Sequence, residues 1–104
     1  MLLNDLCIDP NRLAELCRRY YVKRLEIIGS FARGDAGSES DLDILVTFKP
    51  LAPIGLEFVV LKEELEAVVG RQVDLLTKAS VESSPNKYFR YFALRFTEPL
   101  YESA

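Results

Sequence analysis

Three carboxylates and one glycine–serine step stand out from the rest of this chain. Asp41-Leu42-Asp43 opens an apolar run that continues through Ile44, Leu45 and Val46. In a strand, residues i and i+2 point to the same face, about 6.6 Å apart. Two carboxylates so placed repel each other, and one is hard to ionise without a counter-ion. Two divalent cations roughly 3.5–4 Å apart would relieve that repulsion, as in two-metal phosphoryl-transfer sites. A pair of solvated acids at a strand end is the plainer reading, but it sits poorly with Asp43 inside an apolar run. Asp74 lies between Val73 and Leu75. A carboxylate inside a short apolar strand needs a partner or a cation, unless it stands on an exposed face. Gly29-Ser30 directly follows the apolar pair Ile27-Ile28. Glycine lets the chain turn and a ligand approach closely. A serine at a helix start offers a hydroxyl and free N–H groups to a phosphate. Arg33 adds a forked cation three residues on. A simple turn would explain Gly29-Ser30 alone, so the set matters more than any member.

Composition narrows the chemistry further. The chain has 104 residues, which suggests a single domain over residues 1–104. There is no His, which excludes Ser-His-Asp and Cys-His catalysis and His-based zinc sites. Two cysteines, Cys7 and Cys17, neither close a structural zinc site nor form a disulfide framework. They read as reduced thiols of a cytoplasmic protein. The net charge of −3 argues against gripping long nucleic acid by its phosphates. The first residues, Met1-Leu2-Leu3-Asn4-Asp5, show no signal-peptide pattern, and no apolar run approaches the ~20 residues a bilayer span requires. Chemistry here must run on carboxylates, hydroxyls, backbone amides and borrowed ions.

The elements that must position these residues alternate between helix and strand. Asp9-Pro10 is a helix start, with Asp9 as cap and Pro10 at the first helical position. Leu13, Leu16, Cys17 and Tyr20 share one face of that helix, and Ile8 with Leu13 suits a hydrophobic staple. Lys23–Ile28 reads as a strand, and Gly29-Ser30 opens a turn or short helix. Residues 35–40 form a loop by composition. Leu42–Phe48 is a second strand, apolar on both faces and therefore expected to be buried. Ile54, Phe58, Leu61, Leu65 and Val68 follow helical spacing, with Gly70 as the stop. Gln72–Thr77 is a third strand, and Ser84-Pro85 repeats the cap-and-proline start before a last helix. The result is an α/β domain, a small mixed sheet flanked by helices in the order α-β-α-β-α-β-α. A helix between strands two and three makes them parallel neighbours with a right-handed crossover. Asp74 can then face Asp41 and Asp43, although spacing alone leaves the register open.

Taken together, Gly29-Ser30-Phe31-Ala32-Arg33-Gly34, Ser40-Asp41-Leu42-Asp43-Ile44-Leu45-Val46 and Val73-Asp74-Leu75 resemble the signature of the polymerase-beta-like nucleotidyltransferase superfamily. The short length and the Ala-Arg-Gly step are similar to its minimal members, the MntA-like antitoxins. Glu98-Pro99-Leu100-Tyr101 is similar to the usual C-terminal end of that family, and Ile44 stands where Leu is usual. The resemblance implies catalytic and metal roles for Asp41, Asp43 and Asp74, with two Mg²⁺ ions and ATP as substrate. It implies that Gly29, Ser30 and Arg33 bind the nucleotide. It also implies a HEPN-domain RNase toxin as partner, held in a hetero-oligomer and silenced by transfer of AMP to one of its tyrosines. Two other readings stay open. One is an antitoxin that only covers its toxin; the other is a nucleotidyltransferase for a small molecule such as an aminoglycoside.

Three further features have a plain and a functional reading. Arg18, Arg19, Lys23 and Arg24 could touch a partner, but Arg18 and Arg19 also suit a helix C-terminus. Six of the eleven aromatics lie between Tyr88 and Tyr101, as core or as a docking stripe. The stretch Leu56, Phe58, Val59, Val60 and Leu61 is wider than a one-sided apolar stripe requires, so part of it is expected at an interface.

Overall fold

The computed structural model describes residues 8–28, 42–95 and 97–103. Along these run α1 (Pro10–Arg19), β1 (Val22–Ile28), β2 (Leu42–Phe48), α2 (Glu57–Val69), β3 (Val73–Thr77), α3 (Lys78–Glu82), α4 (Lys87–Ala93) and β4 (Glu98–Glu102). The first helix starts as its sequence dictates. The Asp9 side chain accepts the Asn11 amide at 2.9 Å and the Arg12 amide at 3.5 Å, with Pro10 at the first position. Ile8 packs against the core cluster to which the buried Leu13 belongs.

The four strands form one mixed sheet in the order β3-β2-β1-β4. The parallel pair is β2 and β3, and β1 runs antiparallel to both β2 and β4. Alternation along the strands gives the sheet two covered faces. On the first, Leu25, Ile27, Leu42, Ile44, Val46, Val73 and Leu75 pack against Leu13, Leu16 and Cys17 of α1 and Leu61, Leu65 and Val69 of α2. On the second, Ile28 and Leu45 pack with Val81 of α3 and Ala93 of α4, joined by Leu76 and Phe89. The chain runs from α2 into β3 through only three residues. Gly70 takes a left-handed φ of 77° there, and its amide donates to the Glu66 carbonyl at 2.9 Å. A Cβ at Gly70 would meet nothing within 4 Å, so backbone conformation alone demands glycine. Gly70→Ala is expected to cost about 1 kcal/mol from left-handed strain. Its melting temperature should fall by roughly 5 °C in a thermal denaturation scan.

The second half departs from the expected order. One final helix was expected from Ser84-Pro85; two short helices and a fourth strand occur instead. The first, α3, is five residues long, too short for periodicity to reveal. It is held by a capping box in which Thr77 Oγ1 accepts the Ser80 amide at 3.1 Å and Ser80 Oγ accepts the Thr77 amide at 2.9 Å. The next helix starts later than Ser84-Pro85 suggests, because Asn86 Oδ1 takes the Tyr88 and Phe89 amides at 3.0 and 3.2 Å. The fourth strand contains Pro99, which reads against a strand in sequence. At the sheet edge it is tolerated, since an edge strand need not use every N–H. The expected short helix after Gly29-Ser30 lies outside the described residues, as does Cys7.

Candidate active site

Asp43 is the second residue of β2 and Asp74 the second of β3. The parallel register pairs them directly, with Leu42 beside Val73 and Ile44 beside Leu75. Adjacent strands lie about 4.8 Å apart, and paired residues of a parallel ladder share a face. Both carboxylates therefore rise side by side from the second face of the sheet. Asp43 is half-buried and Asp74 is exposed. On the far side of Asp43 stands Ile28, its antiparallel partner and the last residue of β1. The end of β1 and the beginnings of β2 and β3 thus meet at one end of the sheet. Leu45 and Leu76 continue the same face one step further along, beneath Val81, Phe89 and Ala93. The helices α3 and α4 close that face beside the acids, a contribution that sequence patterning missed because α3 is so short.

Of the six residues expected in the site, Asp43 and Asp74 are brought together. Asp41, Gly29, Ser30 and Arg33 lie outside the described residues. Among the described residues no three acidic, cysteine or histidine side chains form a metal-holding cluster. The donor set of Asp43 and Asp74 is nonetheless of the right kind. Carboxylate oxygens are hard ligands, and magnesium is usually held by one or two of them together with substrate phosphates and water.

Glu66, in the last turn of α2, touches β3 beside the site. Its Oε2 accepts the Val73 amide at 2.9 Å and the Lys62 ammonium at 3.3 Å. The Val73 hydrogen bond, helped by Lys62, holds the Glu66 carboxyl below its ordinary value against partial desolvation. No sequence motif marks this residue.

The remaining candidates resolve into structure. Cys17 is free and buried, and desolvation pushes its thiol up to about 12, which makes it a poor nucleophile. Arg18 and Arg19 occupy the last turn of α1, and Arg19 pairs with Glu15 at 3.7 Å and Glu64 at 3.5 Å. Arg24 pairs with Glu26 at 3.9 Å and Glu102 at 3.5 Å. Arg19 and Arg24 are thus each ion-paired with carboxylates of the chain. Leu56, Val59 and Val60 are exposed, at 84%, 53% and 42%, so the apolar excess at the start of α2 does lie outside the core. Among the aromatics, Phe89 and Tyr101 pack inward, whereas Tyr88 and Tyr91 are exposed.

Comparison with known proteins follows the same line. Residues 11–96 match the model of the nucleotidyltransferase domain, and the chain belongs to that family. Within it the chain falls among MntA-like minimal nucleotidyltransferases. It is 45% identical over 69 residues to the protein adenylyltransferase MntA of Thermococcus cleftensis, covering 66% of this chain and 69% of that protein. A solved minimal nucleotidyltransferase, 35% identical, superposes with a TM-score of 0.67 over 96% of this chain and 97% of its own. More distant structures share the fold. A toxin–antitoxin with AMP-PNP is 20% identical with a TM-score of 0.57, covering 89% of this chain and 73% of that one. The MNT antitoxin bound to the tri-AMPylated HEPN toxin of Shewanella oneidensis is 18% identical with a TM-score of 0.50, covering 89% and 69%. Among the described residues no helix is long and apolar enough to cross a membrane.

Proposed function

We propose that this protein is a cytoplasmic antitoxin that transfers AMP from ATP to a tyrosine of a HEPN-domain toxin and so neutralises it. The observation that carries the proposal is the direct pairing of Asp43 with Asp74 on one face of the sheet. The protein adenylyltransferase MntA among its relatives and the toxin–antitoxin complexes that share its fold support the choice of acceptor.

In this reading Asp41, Asp43 and Asp74 would hold two magnesium ions, which when bound neutralise the charge of the triphosphate. Gly29 and Ser30 cradle the phosphates and Arg33 adds a cation. Asp74, the more exposed of the described pair, faces the incoming acceptor and takes the proton of its hydroxyl. The phenol oxygen bonds to the α-phosphorus in line while the bond to the bridging oxygen of the β-phosphate breaks. Pyrophosphate leaves and AMP remains on the tyrosine. Positioning and charge neutralisation carry most of the catalysis in such transfers, so the lack of histidine is no obstacle.

The test is direct. The purified protein, its toxin and Mg·ATP are mixed, and the toxin is weighed by mass spectrometry. One or more AMP units on the toxin are expected, and chelating the divalent metal before ATP is added should prevent the adduct from forming. An unmodified toxin in an intact complex would contradict the enzymatic reading. It would favour the second reading, an antitoxin that acts by covering, which the exposed Leu56, Val59 and Val60 support.

A further inference from the structure

We infer that Glu66 is a positioning residue for the transfer, holding the start of β3 so that Asp74 stands beside Asp43. The inference rests on the reading of the acid pair given above and adds to it the device that sets the pair. Among the described residues β3 is an outer strand of the sheet, with β2 as its ladder partner. The Leu42 amide donates to the Gln72 carbonyl at 3.0 Å, so alternation turns the Val73 amide away from β2, toward the open edge. That outward amide is the one Glu66 Oε2 accepts, at 2.9 Å. The same residue offers its backbone carbonyl to Gly70 at 2.9 Å. Glu66 therefore ties together the last turn of α2, the left-handed glycine and the first residue of β3.

Burial of Val73 and Leu75 already decides which face of β3 turns inward. It does so only modulo two residues, and it leaves the strand's exact height open. A slip of one residue would turn Asp74 to the opposite face. A slip of two residues would keep the inward face but carry Asp74 past Asp43. The Glu66 anchor removes that freedom at the residue next to Asp74.

The experiment compares the full-length protein with Glu66→Ala and Glu66→Gln. Three quantities are read: hydrogen exchange at the Val73 amide, magnesium affinity by calorimetry, and kcat and KM for AMP transfer to the toxin. In Glu66→Ala, exchange at Val73 should quicken, magnesium should bind roughly tenfold more weakly and kcat should fall roughly tenfold, the size seen for residues that orient metal ligands. Glu66→Gln keeps an acceptor oxygen and should restore all three. Wild-type magnesium affinity and kcat in Glu66→Ala would overturn the inference, as would a Glu66→Gln protein impaired as severely as a Glu66→Ala protein. A wild-type protein that transfers no AMP, yet loses magnesium affinity in Glu66→Ala, would uphold the positioning role and overturn the proposed reaction instead.

Discussion

Asp43→Asn should leave the protein folded and lower AMP transfer by roughly 10²–10³-fold, the loss typical when one preorganised electrostatic contact to a transition state is removed. Asparagine has nearly the same shape as aspartate, and Asp43 is only half-buried, so the sheet can keep its packing. What disappears is one negative charge beside Asp74 and, on the proposed reading, one ligand to a divalent cation. The initial rate of adduct formation on the toxin, followed by intact-protein mass spectrometry, measures the effect. Circular dichroism confirms the fold. The same variant separates two modes of neutralisation. If it still forms the toxin complex but fails to silence the toxin, modification is required. If it silences the toxin at equal concentration, coverage suffices. Transfer at the wild-type rate would remove Asp43 from the site.

Ile44→Ala should produce the largest loss of stability. Ile44 is fully buried, between Ile27 on β1 and Leu75 on β3, and its side chain enters the core under α1 and α2. Truncating such a residue costs about 2–5 kcal/mol through lost transfer energy and the cavity left behind. That is a large fraction of the 5–15 kcal/mol that holds an ordinary domain together. A fall in melting temperature of roughly 10–20 °C is expected in a calorimetric scan. A shift of only about 2 °C would mean that the central strand is not packed as described. Because Ile44 follows Asp43 directly, the variant should also lose activity at temperatures where it remains folded.

Much of this was legible in the chain. The apolar run Leu42–Phe48 marks a central strand because both its faces are covered, and its observed bounds are the expected ones. The parallel pairing of β2 and β3 follows from the helix between them, since a parallel crossover needs such a connection. Asp43 and Asp74 stand out as polar residues inside apolar runs, although the structure leaves Asp74 exposed and Asp43 half-buried, so their pairing, not a burial cost, marks them. Register was not legible, because spacing along one strand says nothing of its height against the next. Other features were hidden by their own chemistry. Pro99 disguises β4, which survives as a strand only because it lies at the sheet edge. Five residues cannot display a helical period, so α3 is written in its cap, Thr77 with Ser80, and not in its apolar pattern. Ser84 and Asn86 both suit a helix start, and only the observed hydrogen bonds decide for Asn86. Glu66 looks like any exposed helix acid until the Val73 amide is seen against it.

The most direct test of the paired acids is a crystal structure of the protein with magnesium and AMP-PNP. A magnesium ion is expected about 2.0–2.1 Å from a carboxylate oxygen of Asp43 and also bound by Asp74, with the triphosphate on the same sheet face. A nucleotide seated elsewhere, or a metal that Asp74 does not reach, would contradict the joint site.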